Sequence, residues 1–511
     1  MSQPIASMDL GTNSFHLVVV QPDPEGGFEI LSTEKESVRL GSGGGDLDLI
    51  LPDAMDRGLA ALKRFAAIAR SMNAEIRAVA TSAVREARNS GEFLDRVRRE
   101  CEMEVEVIPG QEEARLIYLG VLQCLDVFDK RILCIDIGGG STEYLVGKGG
   151  IPEFASSQKL GAIRLKDRFF PDGSVSAARI AECRQFIQIQ LTGVREEVRA
   201  RGFERAVGSS GTAETLFDMI RQRYNISDLK EPVIEKSKLD RITDEILGAS
   251  SMEKRMKLPG LDEKRADIIV GGAILLQESF QMLGIESMIF SRFALREGVV
   301  FDTLQRRSWS GLKLPDVRRA GVERLARSFQ KVSPVVESEH AVRTSLMLFD
   351  GLSALRPDLF SKEDRFLLES GARLHNVGMA ISHNAHHKHG YYIIKNSDLL
   401  GFTPAEVETI AQIARYHRKG EPKQSHIEYA ALSKKEQARI YNLTAILRIG
   451  IGLARIGDTI ESIQVSMSGR KFQIRVFPRA GQDASIPLWA AQLKSSMLEK
   501  VLDAELEFQA P

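Results

Sequence analysis

The sequence is poor in cysteine. Four residues in 511 are cysteine, Cys101, Cys124, Cys134 and Cys183, and no two of them form a C-x-x-C pair. That spacing speaks against a disulfide framework and against a cysteine-ligated zinc site. Cys134 falls inside an apolar run and reads as a small core residue. Long hydrophobic runs are also missing. No stretch of about 18 apolar residues occurs, so no membrane-spanning helix is expected. The opening MSQPIASMDLG has neither a basic n-region nor an apolar h-region, so the expectation is a soluble, cytoplasmic protein in a reducing compartment. Net charge is absent too, since 69 Lys and Arg balance 69 Asp and Glu. A balanced chain gives no reason to expect a nucleic-acid or membrane partner, although a local basic channel survives such averaging.

What is present is an ordinary globular composition, 43% hydrophobic and 27% charged, over a length that exceeds one core. Two to four domains are expected. Apolar and β-branched runs predict strands over 5–8, 15–21, 28–38, 76–81, 105–108, 131–137 and 143–146. Helical spacing predicts helices over 51–72, 91–101 and 112–124. Strands mixed with helices in this order indicate an α/β architecture. The stretch RRSWSGLKLPDVRRAG, 306–321, reads as a linker, and from Gly321 onward the spacing is mostly helical, for example over 341–355 and 363–374. Near the end, IQVSMSGRKFQIRVF alternates and reads as a hairpin around Ser468 and Gly469.

One pattern occurs twice. MDLGTNSFHLVVV (Met8 to Val20) and IDIGGGSTEYLVG (Ile135 to Gly147) share an apolar residue, an aspartate, an apolar residue, a glycine, small or polar residues, and then a strand. Two copies of one hairpin imply two similar domains facing each other. Glycines at such a turn let the backbone approach a ligand, and the exposed N–H groups form a concavity suited to an anion. GSSGT (Gly208 to Thr212) precedes a helical segment, where free N–H groups and the helix dipole also favour an anion. The candidate phosphate contacts are therefore Gly11, Thr12, Asn13 and Ser14 in the first turn, Gly138, Gly139, Gly140 and Ser141 in the second, and Gly208, Ser209, Ser210, Gly211 and Thr212 in the third.

Phosphoryl transfer to water needs more than a cradle. It needs hard oxygen ligands for a divalent metal, a carboxylate to orient or deprotonate water, and a cation to meet the charge on the transferred group. PGQEEARLIY (Pro109 to Tyr118) offers Glu112 and Glu113, and ATSAVREA (Ala80 to Ala87) offers Arg85 at the end of a strand. Each has a plainer explanation. Carboxylates favour any helix N-terminus, Arg85 has Glu86 and Glu92 nearby as surface partners, Asp9 and Asp136 suit turn caps, and GSSGT suits an N-cap.

Together DLGTNSFH, ATSAVREA, GQEEARLIY, DIGGGSTE, GSSGT, LREGVV (Leu295 to Val300) and NSDLLGF (Asn396 to Phe402) closely resemble the Ppx/GppA exopolyphosphatases and guanosine pentaphosphate phosphohydrolases of the actin-like ATPase superfamily. The resemblance runs from Ala6 to about Ile456. It implies Glu113 as catalytic base, Arg85 as the arginine of the T-x-x-x-R stretch, Asp136 and Glu143 as metal ligands, and Ser141 with the loop glycines as phosphate contacts. It implies Mg2+ or Mn2+ as cofactor, with a monovalent cation such as K+, and a homodimer. The reaction it implies is attack of water on a terminal phosphorus of inorganic polyphosphate, with release of orthophosphate. Hydrolysis of guanosine pentaphosphate (pppGpp) to the tetraphosphate is the alternative. A non-catalytic polyphosphate- or nucleotide-binding regulator, or an ATP-dependent kinase, is the alternative of another class; the Glu113 motif speaks against a kinase, which must exclude water.

The C-terminal region carries SGARLHNVGMAISHNAHHKHGYYIIK, with His375, His383, His386, His387 and His389 close together. It is similar to HD-type helical phosphohydrolases, but His375 is followed by Asn376 where that pattern has aspartate, and Ile451 stands at its last aspartate, so no working metal site is expected there. His386, His387, Lys388, His389, Lys395, Arg415, His417, Arg418 and Lys419 instead suggest a basic path for a polyanion, with a solvated helix face as the alternative. RYHRKG (Arg415 to Gly420) looks more like the exopolyphosphatase branch. The resulting expectation is actin-like α/β domain I over 1–124, actin-like α/β domain II over 125–305, both ribonuclease H-like, and a helical HD-like domain over 306–511.

Overall fold

A computed structural model describes residues 3–22, 28–43, 46–226, 232–307, 317–329, 335–397, 399, 402–418 and 420–510. The chain divides into two compact units, Met1–Pro315 and Asp316–Pro511.

The first unit holds two sheets. Strands β1 (Ile5–Leu10), β2 (Phe15–Pro22), β3 (Phe28–Glu36), β4 (Glu75–Ala80) and β5 (Val105–Val107) form one sheet in the order β3-β2-β1-β4-β5. Strands β6 (Ile132–Ile137), β7 (Thr142–Lys148), β8 (Ile151–Gln158), β9 (Arg205–Ser209), β10 (Val233–Glu235) and β11 (Ser287–Phe290) form the other in the order β10-β11-β9-β6-β7-β8. In each sheet a three-stranded antiparallel meander is continued by two parallel strands, and in the second β10 adds an antiparallel edge beside β11. The sequence repeat is the first hairpin of each meander. Asp9 pairs with His16 across β1 and β2, and Asp136 pairs with Glu143 at the matching place across β6 and β7.

Helices α1 (Pro52–Ser71), α2 (Ser82–Glu86) and α3 (Ser90–Cys101) connect the strands of the first sheet, and α4 (Gly110–Cys124) links it to the second. Helices α5 (Ala162–Phe169), α6 (Ala177–Arg201), α7 (Ser210–Arg223), α8 (Lys236–Gly248), α9 (Met252–Arg255), α10 (Ile269–Leu283) and α11 (Leu295–Arg306) accompany the second. Each sheet has its own apolar core. Strands β1 to β5 and β6 to β11 fall in separate sheets, but the helices do not divide in the same way. Helix α4 packs on β7 and β8, α11 packs on β1 and β2, and the two pack on each other. The reason is that α4 is buried almost all round, from Gly110 to Leu122, and needs cover on every side. Glycines permit the crossing: a Cβ on Gly298 would stand 1.7 Å from the Leu116 carbonyl oxygen, and one on Gly120 2.3 Å from that of Ala294.

Ion pairs also join the two sheets' halves. Arg39 Nη1 bonds Asp267 Oδ2 at 2.9 Å. Arg164 of α5 donates to Gly140 O at 2.9 Å and pairs with Asp46 and Glu86.

The second unit is mainly helical, with α12 (Val317–Ser328), α13 (Val335–Leu355), α14 (Lys362–Leu374), α15 (His386–Lys395), α16 (Pro404–Tyr416), α17 (Ile427–Ala430), α18 (Lys434–Leu453), α19 (Ser485–Gln492) and α20 (Ser496–Leu502). The linker reading of 306–321 fails at its ends, since Arg306 closes α11 and residues 317–321 open α12. The predicted hairpin is β12 (Ile460–Ser468) and β13 (Lys471–Pro478), turning at Gly469 with φ +63°. A third strand, β14 (Glu505–Gln509), pairs parallel with β13; its short run ELEFQ gave no strand signal of its own. Among the described residues no helix is long and apolar enough to cross a membrane.

Candidate active site

The two repeated hairpins bring their turns together. A Cβ on Gly139 would lie 3.3 Å from the backbone nitrogen of Asn13, and one on Gly140 would lie 2.8 Å from Thr12 Oγ1 and 2.6 Å from Ser82 Oγ. Side chains at 139 and 140 would hold the turns apart, which is why glycine is needed there. Thr12 Oγ1 and Ser82 Oγ are hydrogen-bonded at 2.7 Å. Beside this meeting point is a cavity of about 370 Å3, whose lining includes the carboxylates Asp9, Glu113 and Asp136 and the cations Lys35, Arg265, Arg292 and Arg296. Of the candidate phosphate contacts, Gly11, Thr12, Asn13, Ser14, Gly138, Gly139, Ser141, Ser210 and Gly211 line it.

Other predicted contacts sit just behind. Gly208 lies within β9 against Met288, because the strand runs on to Ser209 before the chain turns. Gly140 touches Thr12 and Ser82 rather than the cavity. Thr212 is buried and its Oγ1 accepts from Arg265 Nη2 at 3.3 Å. Ser209 Oγ and Ser210 Oγ both donate to Asp136 Oδ2 at 2.5 Å. Ser210 holds φ +67°, a left-handed conformation that a non-glycine residue adopts at a cost, here at the first residue of α7.

The acidic side is strongly desolvated. Glu113 sits in the first turn of α4, and burial pushes its carboxyl up to about 7, against the pull of Arg85 and with a further push from the Asp136 charge. Burial raises Asp9 well above the ordinary range, helped by Glu113 and Asp136. It raises Asp136 as well, opposed by the two serine hydroxyls. Glu143 is raised by burial and by Glu113 and Asp136, while its Oε1 accepts from Ser157 Oγ at 2.7 Å. Four buried carboxyls this close cannot all ionise without a compensating cation.

Among the described residues no three acidic, histidine or cysteine side chains form a ready-made metal cage. A hard divalent cation that keeps its waters and takes substrate oxygens needs only one or two carboxylates. Asp9 Oδ1 is buried with no hydrogen-bond partner and lines the cavity together with Asp136, whereas Glu143, the other ligand the resemblance implies, does not line it. Carboxylate oxygens of this kind are the donors a hard divalent cation takes.

Arg85 lies behind the cavity wall rather than on it. Its Nη1 donates to Glu113 Oε2 and to the Ile108 carbonyl, both at 2.9 Å. The cavity's own cations were missed by sequence reasoning. Arg296 belongs to LREGVV, so its signal was present but assigned no role. Asp9 opens the repeated hairpin and was legible in the same way. Lys35, Arg265 and Arg292 stand in no motif.

The path suggested for the second unit is less basic than its sequence. Lys395 Nζ pairs with Glu408 at 2.9 Å, and Arg415 Nη1 with Glu428 at 3.1 Å. His417 is buried, its Nδ1 2.6 Å from the Ala414 carbonyl oxygen, so it does not line an open track. Arg418 Nη1 lies 3.4 Å from His386 Nδ1, His387 is half-buried and Lys388 is exposed. Lys419 lies outside the described residues, as do Asp398, Leu400 and Gly401 of NSDLLGF. Acidic residues on facing helices neutralise the lysine and the arginine, a relation that spacing along the chain does not reveal.

Residues 18–307 match the Ppx/GppA phosphatase family and residues 317–496 match Ppx/GppA phosphatase, domain III. A guanosine-5'-triphosphate,3'-diphosphate pyrophosphatase of Photobacterium profundum is 31% identical over 465 residues, 91% of this chain and 89% of that protein. One of the same name from Vibrio vulnificus is 29% identical over 492 residues, 96% of this chain and 94% of that protein. Among solved structures, an exopolyphosphatase of Cytophaga hutchinsonii superposes with a TM-score of 0.56 at 30% identity, covering 59% of this chain and 98% of that one. A Ppx/GppA family member of Aquifex aeolicus gives a TM-score of 0.52 at 26% identity, covering 60% and 98%. The family match spans both α/β halves and the helical unit after them, and this chain belongs to the Ppx/GppA phosphatase family.

Proposed function

We propose that the chain is an exopolyphosphatase that removes the terminal phosphate of inorganic polyphosphate. The observation that carries this reading is Glu113, a buried carboxyl whose pKa is pushed up to about 7, set in a cavity wall beside two glycine turns. A base with a pKa near the working pH is suited to taking a proton from water. Arg85 holds Oε2 of that carboxylate, so Oε1 is the atom that receives the proton. The water oxygen then bonds to the terminal phosphorus. The bond from that phosphorus to the bridging oxygen breaks, the bridging oxygen keeps the electron pair, and orthophosphate leaves.

The turns at 11–14 and 138–141 hold the terminal phosphate oxygens. Asp9, Asp136 and Glu143 would hold Mg2+ or Mn2+, which when bound supplies charge neutralisation for the phosphate oxygens. The cavity's arginines and lysine bind the remaining anionic chain. The resemblance to exopolyphosphatases supports this substrate, and the Cytophaga protein carries that name. It also supports a homodimer.

Guanosine pentaphosphate is the second reading, favoured by the name that both similar curated proteins carry. The bond broken is of the same kind, so the same site serves either substrate.

The test is orthophosphate release from long-chain polyphosphate and from guanosine pentaphosphate, side by side, with Mg2+ and with chelator, for wild type and Glu113→Gln. Metal-dependent release from polyphosphate that disappears in the variant is the expected result. Release mainly from the nucleotide would transfer the reading to the second substrate. A folded wild-type protein that acts on neither would refute both.

A further inference from the structure

Phosphoryl transfer needs a cation on the transferred group, and sequence alone points to Arg85. Resting on the hydrolase reading above, we propose that Arg296 performs this task, and that Arg85 serves Glu113 instead.

The two arginines are placed differently. Arg85 Nη1 makes its bonds to Glu113 Oε2 and the Ile108 carbonyl, and the side chain does not line the cavity. Arg296 does line it, together with Asp9, Glu113 and Asp136. It is the second residue of α11, and its guanidinium is held from two sides. Nε donates to Glu297 Oε1 at 2.5 Å, and Nη1 lies 3.3 Å from His16 Nδ1. Nη2 has no protein acceptor among the described residues. Glu297 is itself fixed, because its Oε2 accepts from the Ala294 backbone nitrogen at 3.0 Å. His16 stands opposite Asp9 in the β1–β2 ladder. Its Nδ1 is the acceptor, so its proton sits on Nε2; burial, with the Arg296 charge next, lowers the ring to about 3 and keeps it neutral.

The distance between Arg296 and Glu113 is set by the helices that carry them. Both residues occupy first turns, of α11 and α4, and those helices cross closely at Gly298 and Gly120. Behind Glu113, a buried ion network locks the crossing. Arg115 bonds both oxygens of Glu112 at 2.8 and 2.7 Å and reaches Asp302 of α11. Asp302 in turn accepts from Arg77 of β4 at 2.5 Å and from Arg306 at 2.9 Å. The base and the cation are thus carried on two helices joined by this network.

Arg265 and Arg292 share the cavity, but Arg265 is tied to Thr212 at the α7 terminus. As the water oxygen bonds to phosphorus and its proton passes to Glu113, charge gathers on the equatorial and bridging oxygens. A guanidinium fork at Arg296 meets that charge without itself giving up a proton.

The test is kcat and KM for orthophosphate release from wild type, Arg296→Gln, Arg296→Lys and Arg85→Gln, with and without added guanidinium ion, on proteins shown folded by thermal melting. Gln at 296 keeps a donor for Glu297, which protects the fold. The expected loss for Arg296→Gln is about 10³-fold in kcat, with KM changed by less than about tenfold. Guanidinium ion restores part of that activity. Arg296→Lys recovers little, because a point charge does not replace the fork. Arg85→Gln loses less and is not rescued. Wild-type release combined with a folded Arg296→Gln within about threefold of wild-type kcat, or rescue of Arg85→Gln alone, overturns this assignment and leaves the hydrolase reading intact. No release by wild type overturns the hydrolase reading itself.

Discussion

Arg85 Nη1 stands 2.9 Å from Glu113 Oε2, and this pairing opposes the burial that lifts the Glu113 carboxyl to about 7. The arginine keeps the carboxylate available as a base near neutral pH. Turnover should therefore rise as pH passes through about 7, where Glu113 loses its proton. Arg85→Gln removes a lowering influence, so the acid limb of the kcat profile moves to higher pH. An unmoved limb would show that another group controls it.

Glu113 also bears on stability. Its folded pKa lies above the ordinary 4.5, so the folded chain holds a proton that the unfolded chain has released between pH 4.5 and about 7. Stability from this group is present below 4.5 and is lost as pH rises through about 7. Glu113→Gln removes the penalty and should raise stability at pH 8 by on the order of 1–3 kcal/mol, while abolishing turnover. Denaturant midpoints at pH 5 and pH 8 check this; an equal effect at both would contradict it.

Asp302 has the opposite sign. Arg115, Arg77 and Arg306 hold its carboxyl well below the usual 3.8 in spite of burial. Its stabilisation is complete above that value and is lost as pH falls toward the folded pKa. Asp302→Ala removes the buried carboxylate that Arg115 holds besides Glu112 and that Arg77 pairs with, and should cost about 3–5 kcal/mol at neutral pH. A thermal shift close to zero would mean that the network relaxes freely.

In the second unit His375 is lowered by burial to about 4, and His417 lies well below its usual 6.5 for the same reason. Between pH 6.5 and about 4 the unfolded chain binds protons that these buried rings refuse. Their contribution is present above 6.5 and declines as pH falls. Hydrogen exchange on the whole chain, corrected for intrinsic rates, should show α14 and α16 less protected at pH 5 than at pH 7. Unchanged protection would indicate that the histidines stay accessible to protons when folded.

Much of this could be read along the chain because it depends on local chemistry. The hairpins at Met8–Val20 and Ile135–Gly147 each follow an apolar strand with glycines at a turn, and both form where expected. Glu113 was recognisable because a pair of carboxylates after a Pro-Gly turn marks a helix start. The errors have local causes as well. The 317–321 segment is charged and follows a proline, so it resembled a linker. Strand β14 pairs with β13 from 34 residues further on, counted from Lys471 to Glu505, and had no hairpin signal.

The sequence by itself determined the repeated hairpins, the two α/β halves, the helical region after them and the carboxylates available for chemistry. These follow from hydrophobic period, glycine and charge within a few residues. Only the tertiary structure decided which cation meets which carboxylate. Arg85 lies 28 residues from Glu113 and is bound to it, whereas Arg296 lies 280 residues from His16 and is held against it. Burial also decided the acid–base character of Glu113, since a carboxyl titrates near 7 only when the packing of α4 against α11 and the second sheet removes water from around it.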